Sequence, residues 1–85
     1  GKQIQVGGIQ RAADMYEDLS FIRLEYNDAN SQKFWEIAQS DLKLIIRYGK
    51  IGSKGQLQVK NYNTVEAAAA DKKALLLEKR SLGYN

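Results

Sequence analysis

The sequence predicts an α+β domain: a four-stranded antiparallel sheet with one long C-terminal helix packed on one face. Three observations carry that expectation. Between Leu19 and Tyr62, apolar residues recur at every second position, the repeat of a half-buried strand. The patterned segments are separated by short runs rich in Asn, Asp, Ser and Gly, which suit connections between antiparallel neighbours. After Asn63 the repeat lengthens to that of a helix.

The first 18 residues carry little pattern. Gly7-Gly8 interrupts any strand begun by Ile4 and Val6, and Asp14 to Asp18 is polar and acidic. Residues 1–18 therefore read as a flexible lead-in, with room for one extra short strand or turn at its end. Residues 19–85 read as the domain. In the first strand, Leu19 to Tyr26, the residues Ile22, Leu24 and Tyr26 share a face, with Arg23 and Glu25 opposite and Phe21 on the charged side. Asn27 to Ser31 is loop chemistry, since Asn and Asp side chains bond their own backbone in turns. The second strand, Lys33 to Gln39, sets Trp35 and Ile37 against Glu36, and Trp35 is expected in the core. Ser40-Asp41 suits a tight hairpin. The third strand, Leu42 to Tyr48, points Leu42, Leu44, Ile46 and Tyr48 one way and Lys43, Ile45 and Arg47 the other. The fourth, Gln56 to Tyr62, is expected to bury Leu57 and Val59 and expose Gln58 and Lys60, leaving the sheet one wet face.

Asn63 followed three residues later by Glu66 has the form of a capping box, so a helix is expected from Thr64 to about Leu82, stopped by Gly83. Val65, Ala68, Ala69, Leu75, Leu76 and Leu82 fall on one arc, and Lys72 and Lys79 fall within it. The expected arrangement lays both lysine stems on the sheet with the amines at its rim.

Composition narrows the function. The chain has 85 residues with no Cys, no His and no Pro. It can therefore hold no zinc finger, no disulfide, no Cys–His or Ser–His nucleophile pair and no imidazole acid–base group. No stretch repeats the acidic ladder of a calcium loop. No apolar run is long enough for a transmembrane helix or a signal peptide. A start at Gly1, with Met15 the single methionine, suggests a domain of a larger protein. Charge is unevenly placed: residues 1–42 hold 4 basic and 7 acidic groups, net −3, and residues 43–85 hold 9 and 3, net +6. A basic half of that kind suits a polyanion, although a solvated basic surface would look the same.

The glycine-rich stretch from Tyr48 to Gln56 lacks the spacing of a Walker loop and of a dinucleotide-binding turn. G-x-x-G occurs at Gly49–Gly52 and Gly52–Gly55, but here it joins two strands rather than the two helices of a KH domain. Four blocks together are more informative: Ser31-Gln32-Lys33-Phe34-Trp35-Glu36-Ile37, Arg47-Tyr48-Gly49-Lys50-Ile51-Gly52, Gly55-Gln56, and Lys79 through Gly83-Tyr84. In composition and spacing they resemble a WGR domain, over about residues 20–84. The resemblance implies an antiparallel sheet with a helix packed on it, in agreement with the periodicity. It also implies the company the family keeps: DNA-dependent poly(ADP-ribose) polymerases, where the domain binds DNA near strand breaks, and bacterial proteins of largely unassigned function. In the polymerases the signature Trp and Arg meet the DNA end, and the matching positions here are Tyr48 and Lys50. An aromatic ring and a charge are kept, but Lys offers phosphate a point charge where Arg offers a planar fork. Gln32 stands where the family often has Asn.

The expectation is a non-catalytic module of a larger intracellular protein, cytoplasmic or nuclear, that binds nucleic acid without cofactor or metal. Expected partners are double-stranded DNA or DNA ends and neighbouring domains of the host chain, with no membrane. Tyr48, Gly49, Lys50, Lys54 and Arg47 are the expected contact residues. Tyr48 shares a face with Leu44 and Ile46, so core closure and ligand contact are both open for it. The rival is a protein–protein or interdomain module without DNA affinity, in which Lys72, Lys79 and the sheet edge dock an acidic partner.

Overall fold

In the computed structural model, which describes residues 19–85, the alternating segments become four strands: β1 (Ile22–Asn27), β2 (Gln32–Ser40), β3 (Lys43–Lys50) and β4 (Gln56–Asn61). One helix follows, α1 (Val65–Ser81). The strands lie side by side in chain order, each antiparallel to the next. The lead-in and the extra strand expected before Leu19 lie outside the described residues.

Register decides what each face carries. Leu24 pairs with Trp35, Trp35 with Tyr48, Ile22 with Ile37, and Ile37 with Ile46, so these side chains share one face. That face meets α1. Leu24, Trp35, Ile37, Leu44 and Ile46 pack with Ala68 and Leu76 into one core, edged by Tyr62, Leu75 and Tyr84. Fully burying a side chain such as Ile37 or Leu44 contributes about 1.5–3 kcal/mol, so this face supplies much of the folding drive.

The helix starts one residue later than the capping-box reading expected. Thr64 is the cap, with extended backbone and a hydroxyl that accepts from the Ala67 amide at 3.0 Å. That frame places Glu66 at the second helical position, near the positive end of the dipole rather than reaching back to Asn63. At the other end Gly83 adopts φ +104°, and the Gly83 and Tyr84 amides donate to Arg80 and Lys79 carbonyls, each at 3.1 Å. This is a Schellman turn, and glycine suits it because a Cβ is disfavoured at that φ. The buried arc is narrower than expected. Val65 and Leu82 stand 45% and 59% exposed because each sits at a helix end, without a full turn of helix on both sides.

Two further expectations are corrected. Leu57 is half-buried and Val59 exposed, because register pairs them with Arg47 and Ile45 on the face away from α1. Gln58 and Lys60 take the helix side instead, opposite Ile46 and Leu44. Nor is the second face wet throughout, since Phe34, Glu36, Ala38 and Ile45 are buried there. Its charges neutralise one another and cover rings. The Glu36 carboxylate accepts from Arg47 Nε at 2.8 Å and from Arg23 at 3.3 Å. The Arg23 guanidinium lies 4.3 Å over Phe34 and that of Arg47 lies 5.4 Å over Phe21.

A polar tie joins α1 to the end of β4. Asp71 accepts from the Tyr62 hydroxyl and from Lys60 Nζ, the latter at 3.3 Å. The Tyr62 hydrogen bond, then Lys60, hold the Asp71 carboxyl below its ordinary range. Burial, then the Asp71 bond, push the Tyr62 phenol up, and the Asp71 bond raises Lys60. A lowered carboxyl contributes stability that is present above the unfolded Asp value near 3.9 and is lost as pH falls through the folded value. The raised Tyr62 and Lys60 contribute stability that is present below about 10 and lost as pH rises through their folded values. Chemical unfolding across pH should therefore show a plateau between these limits, and Asp71→Asn should weaken the acid shoulder and, because burial still raises Tyr62, reduce the alkaline one only in part. Shoulders of wild-type steepness in that variant would show that the tie does not cause them.

Candidate nucleic-acid interface

A cavity of about 460 Å³ opens where β2 begins, β3 ends and α1 finishes. Each wall is there for a local reason. The β1–β2 loop contributes Asn30 and Ser31, whose amides are held by Asp28 Oδ1 at 2.7 Å each. β2 contributes Lys33 and Trp35, β3 contributes Tyr48, Gly49 and Lys50, and β4 contributes Gln58. Lys79 arrives from the last turn of α1, and Tyr84 arrives because the turn at Gly83 folds the chain back.

The glycine-rich loop shapes the β3 side. The Ile51 amide donates to the Gln32 carbonyl at 3.0 Å, which carries the β2–β3 ladder past Lys50. The Ser53 amide and hydroxyl both donate to the Lys50 carbonyl, at 3.0 and 2.7 Å. Gly55 then passes over Tyr48 so closely that a Cβ on it would lie 2.5 Å from the Tyr48 carbonyl oxygen.

Electrostatically the cavity is cationic with aromatic walls. The Lys33 ammonium lies 5.1 Å from the Tyr26 ring centre and 5.9 Å from that of Tyr84. The Lys79 ammonium lies 5.7 Å from Trp35 and 5.4 Å from Tyr84. Two ammonium groups thus share one tyrosine ring. Among the described residues, neither has a carboxylate within 4 Å, whereas Arg23, Arg47 and Lys60 all do. Such a site can hold an anion by charge and a planar or sugar group by ring contact.

Residues 20–85 match the WGR domain. This chain belongs to the WGR domain family. The domain is 41% identical over 59 residues to Protein YehF of Escherichia coli (strain K12), covering 69% of this chain and 22% of that protein. It is 36% identical over 62 residues to Uncharacterized protein YfeS of the same strain, covering 73% of this chain and 25% of that one. This WGR chain therefore spans a quarter or less of the curated relatives it matches. Among solved structures it resembles a Bacteroides fragilis protein with a TM-score of 0.75 and 37% identity, covering 76% of this chain and 18% of that one.

Of the contact residues expected for the WGR domain, the fold brings Tyr48, Gly49 and Lys50 together at the cavity. Tyr48 is 38% exposed, and its hydroxyl donates to Gln56 Oε1 at 3.3 Å, so its ring forms a wall and is not sealed in the core. Lys54 is exposed on the loop outside the cavity lining. Arg47 lies on the opposite face, bound to Glu36. Lys72 and Lys79 are half-buried as expected, but the Lys79 amine ends above Trp35 inside the cavity. Lys33 and Tyr84 were given no role by the sequence reading. Both sit in segments that carry the family resemblance, which was the available signal.

Proposed function

We propose that this WGR domain is a non-catalytic module of a larger intracellular protein that binds DNA through its phosphates at this cavity. The observation that carries the reading is the pair of ammonium groups, Lys33 and Lys79, placed over aromatic walls with no carboxylate of the described residues within 4 Å. Lys50 extends the same charge to the mouth, Lys54 adds exposed charge on the neighbouring loop, and the Tyr48 ring is available to a sugar or a terminal base. Hydrogen-bond donors and rings line the cavity, which is the chemistry of holding an anion. The family resemblance supplies DNA as the particular polyanion. Docking of a neighbouring domain is the second reading, and it draws on Leu77 and Leu82, each 59% exposed on α1 or at its end.

A salt titration with duplex DNA tests the proposal, because phosphate binding releases counterions and therefore weakens along a log–log line as salt rises. Lys50→Ala and Lys54→Ala should each flatten the line by about one unit. Tyr48→Ala should cost roughly 1–3 kcal/mol of affinity if the ring stacks. Since Tyr48 is 38% exposed, the same substitution should lower the melting temperature less than loss of a fully buried ring would. A domain with no DNA affinity even at low salt would favour interdomain docking.

A further inference from the structure

The groups that line the cavity are positioned by residues that do not line it. The Tyr84 ring packs on Tyr26, with centroids 5.6 Å apart and planes tilted by 50°. The Tyr26 hydroxyl donates to Asp28 Oδ2 at 2.9 Å. The second oxygen of the same carboxylate accepts from the Asn30 and Ser31 amides. Asp28 is thus tied to one rim of the cavity directly and to the Tyr84 wall through Tyr26. Past Tyr84, Asn85 exchanges two backbone hydrogen bonds with Glu25, each 2.8 Å, which pins the tail beside the strand that carries Tyr26.

Charge makes this placement informative. A carboxylate close to Lys33 works against an incoming anion, so long-range electrostatics alone would favour a site without Asp28. The Asn30 amide, then the Tyr26 hydroxyl, hold the Asp28 carboxyl below its usual range, so it is ionised when these bonds form. The opposing charge stands where geometry needs an acceptor in three directions at once.

Resting on the nucleic-acid reading, we infer that Asp28 is a positioning residue of the phosphate site, fixing Ser31 directly and Tyr84 through Tyr26. A tyrosine wall held in place leaves Lys33 and Lys79 preorganised above it, and preorganisation raises affinity by lowering the ordering cost of binding.

Asp28→Ala and Asp28→Asn separate positioning from charge. Both remove the negative charge, but asparagine keeps a carbonyl oxygen for the Asn30 and Ser31 amides. With a short blunt DNA duplex, Asp28→Ala should weaken binding by about tenfold, while Asp28→Asn stays within about twofold of the wild type or tightens. Simple removal of repulsion predicts tightening in both. A second arm needs no DNA: amide exchange by NMR should quicken at Tyr84 and Asn85 in Asp28→Ala, while Ile37 and Ile46 keep their protection. Binding by Asp28→Ala as tight as the wild type, or unaltered exchange at Asn85, overturns the inference. If the wild-type domain binds no DNA, the nucleic-acid reading fails, and the exchange arm alone decides whether Asp28 positions Tyr84.

Discussion

Gly55→Ala should remove roughly 2–6 kcal/mol of stability, adding a strained φ at about 1–3 kcal/mol to overpacking at about 1–3 kcal/mol. The new Cβ would stand 2.5 Å from the Tyr48 carbonyl oxygen and 2.8 Å from Phe34 Cζ, at a φ of +74°. The first obstacle is backbone and the second belongs to a buried ring, so neither can swing aside. Relief requires the loop to lift off Tyr48, which breaks the Tyr48–Gln56 pairing that begins β4. Gly52→Ala is the internal control. Its φ is +96°, but nothing lies within 4 Å of its Cβ, so the cost should be the conformational part alone, about 1–2 kcal/mol. Urea unfolding of the two variants provides the comparison. Equal midpoints would show that close approach over Tyr48 does not hold the loop.

Lys33→Gln combined with Lys79→Gln should lower DNA affinity at low salt by about a hundredfold, roughly tenfold for each charged contact. The salt dependence should flatten by about two units over the same pair of changes. Thermal stability should fall only in part, because the four ammonium–ring contacts that are lost are offset at the Tyr84 ring, which both lysines share. Each lost ammonium–ring contact costs about 0.5–1 kcal/mol at an exposed site. Against that, two like charges that share Tyr84 no longer repel, and glutamine keeps part of each stem. The domain should therefore stay folded while its affinity falls. A double variant that loses its melting transition along with its binding would make the two lysines structural.

Alternation along each strand was enough to find the four strands and to place Trp35, Ile37, Leu44 and Ile46 in the core. Alternation does not say which of a strand's two faces meets the helix. That is why alternation alone puts Leu57 and Val59 inside. Adjacent residues on a strand point to opposite faces, so the Arg47–Tyr48 split was in fact legible, and the family block obscured it. The cavity itself was harder to read. Lys33 comes from β2, whereas Lys79 and Tyr84 come from the end of α1 and the turn after it, and only the packing of α1 on the sheet and the turn at Gly83 bring them together. Asp28 was read correctly as turn chemistry, but its bond to Tyr26 depends on where β1 ends, which alternation fixes only loosely.

The Glu25–Asn85 pairing also bears on self-association. An outermost strand offers unsatisfied amides and carbonyls to any extended chain, and that is a route to aggregation. On β1 the central outward-facing residue is already taken at both its donor and its acceptor by the tail. The Arg23–Glu25 ion pair at 2.9 Å sets charge along the same margin. A second molecule could add there only by displacing the tail, and with it the Tyr84 wall of the cavity. The segment that supplies one wall of the cavity thus also guards this edge of the sheet against polymerisation.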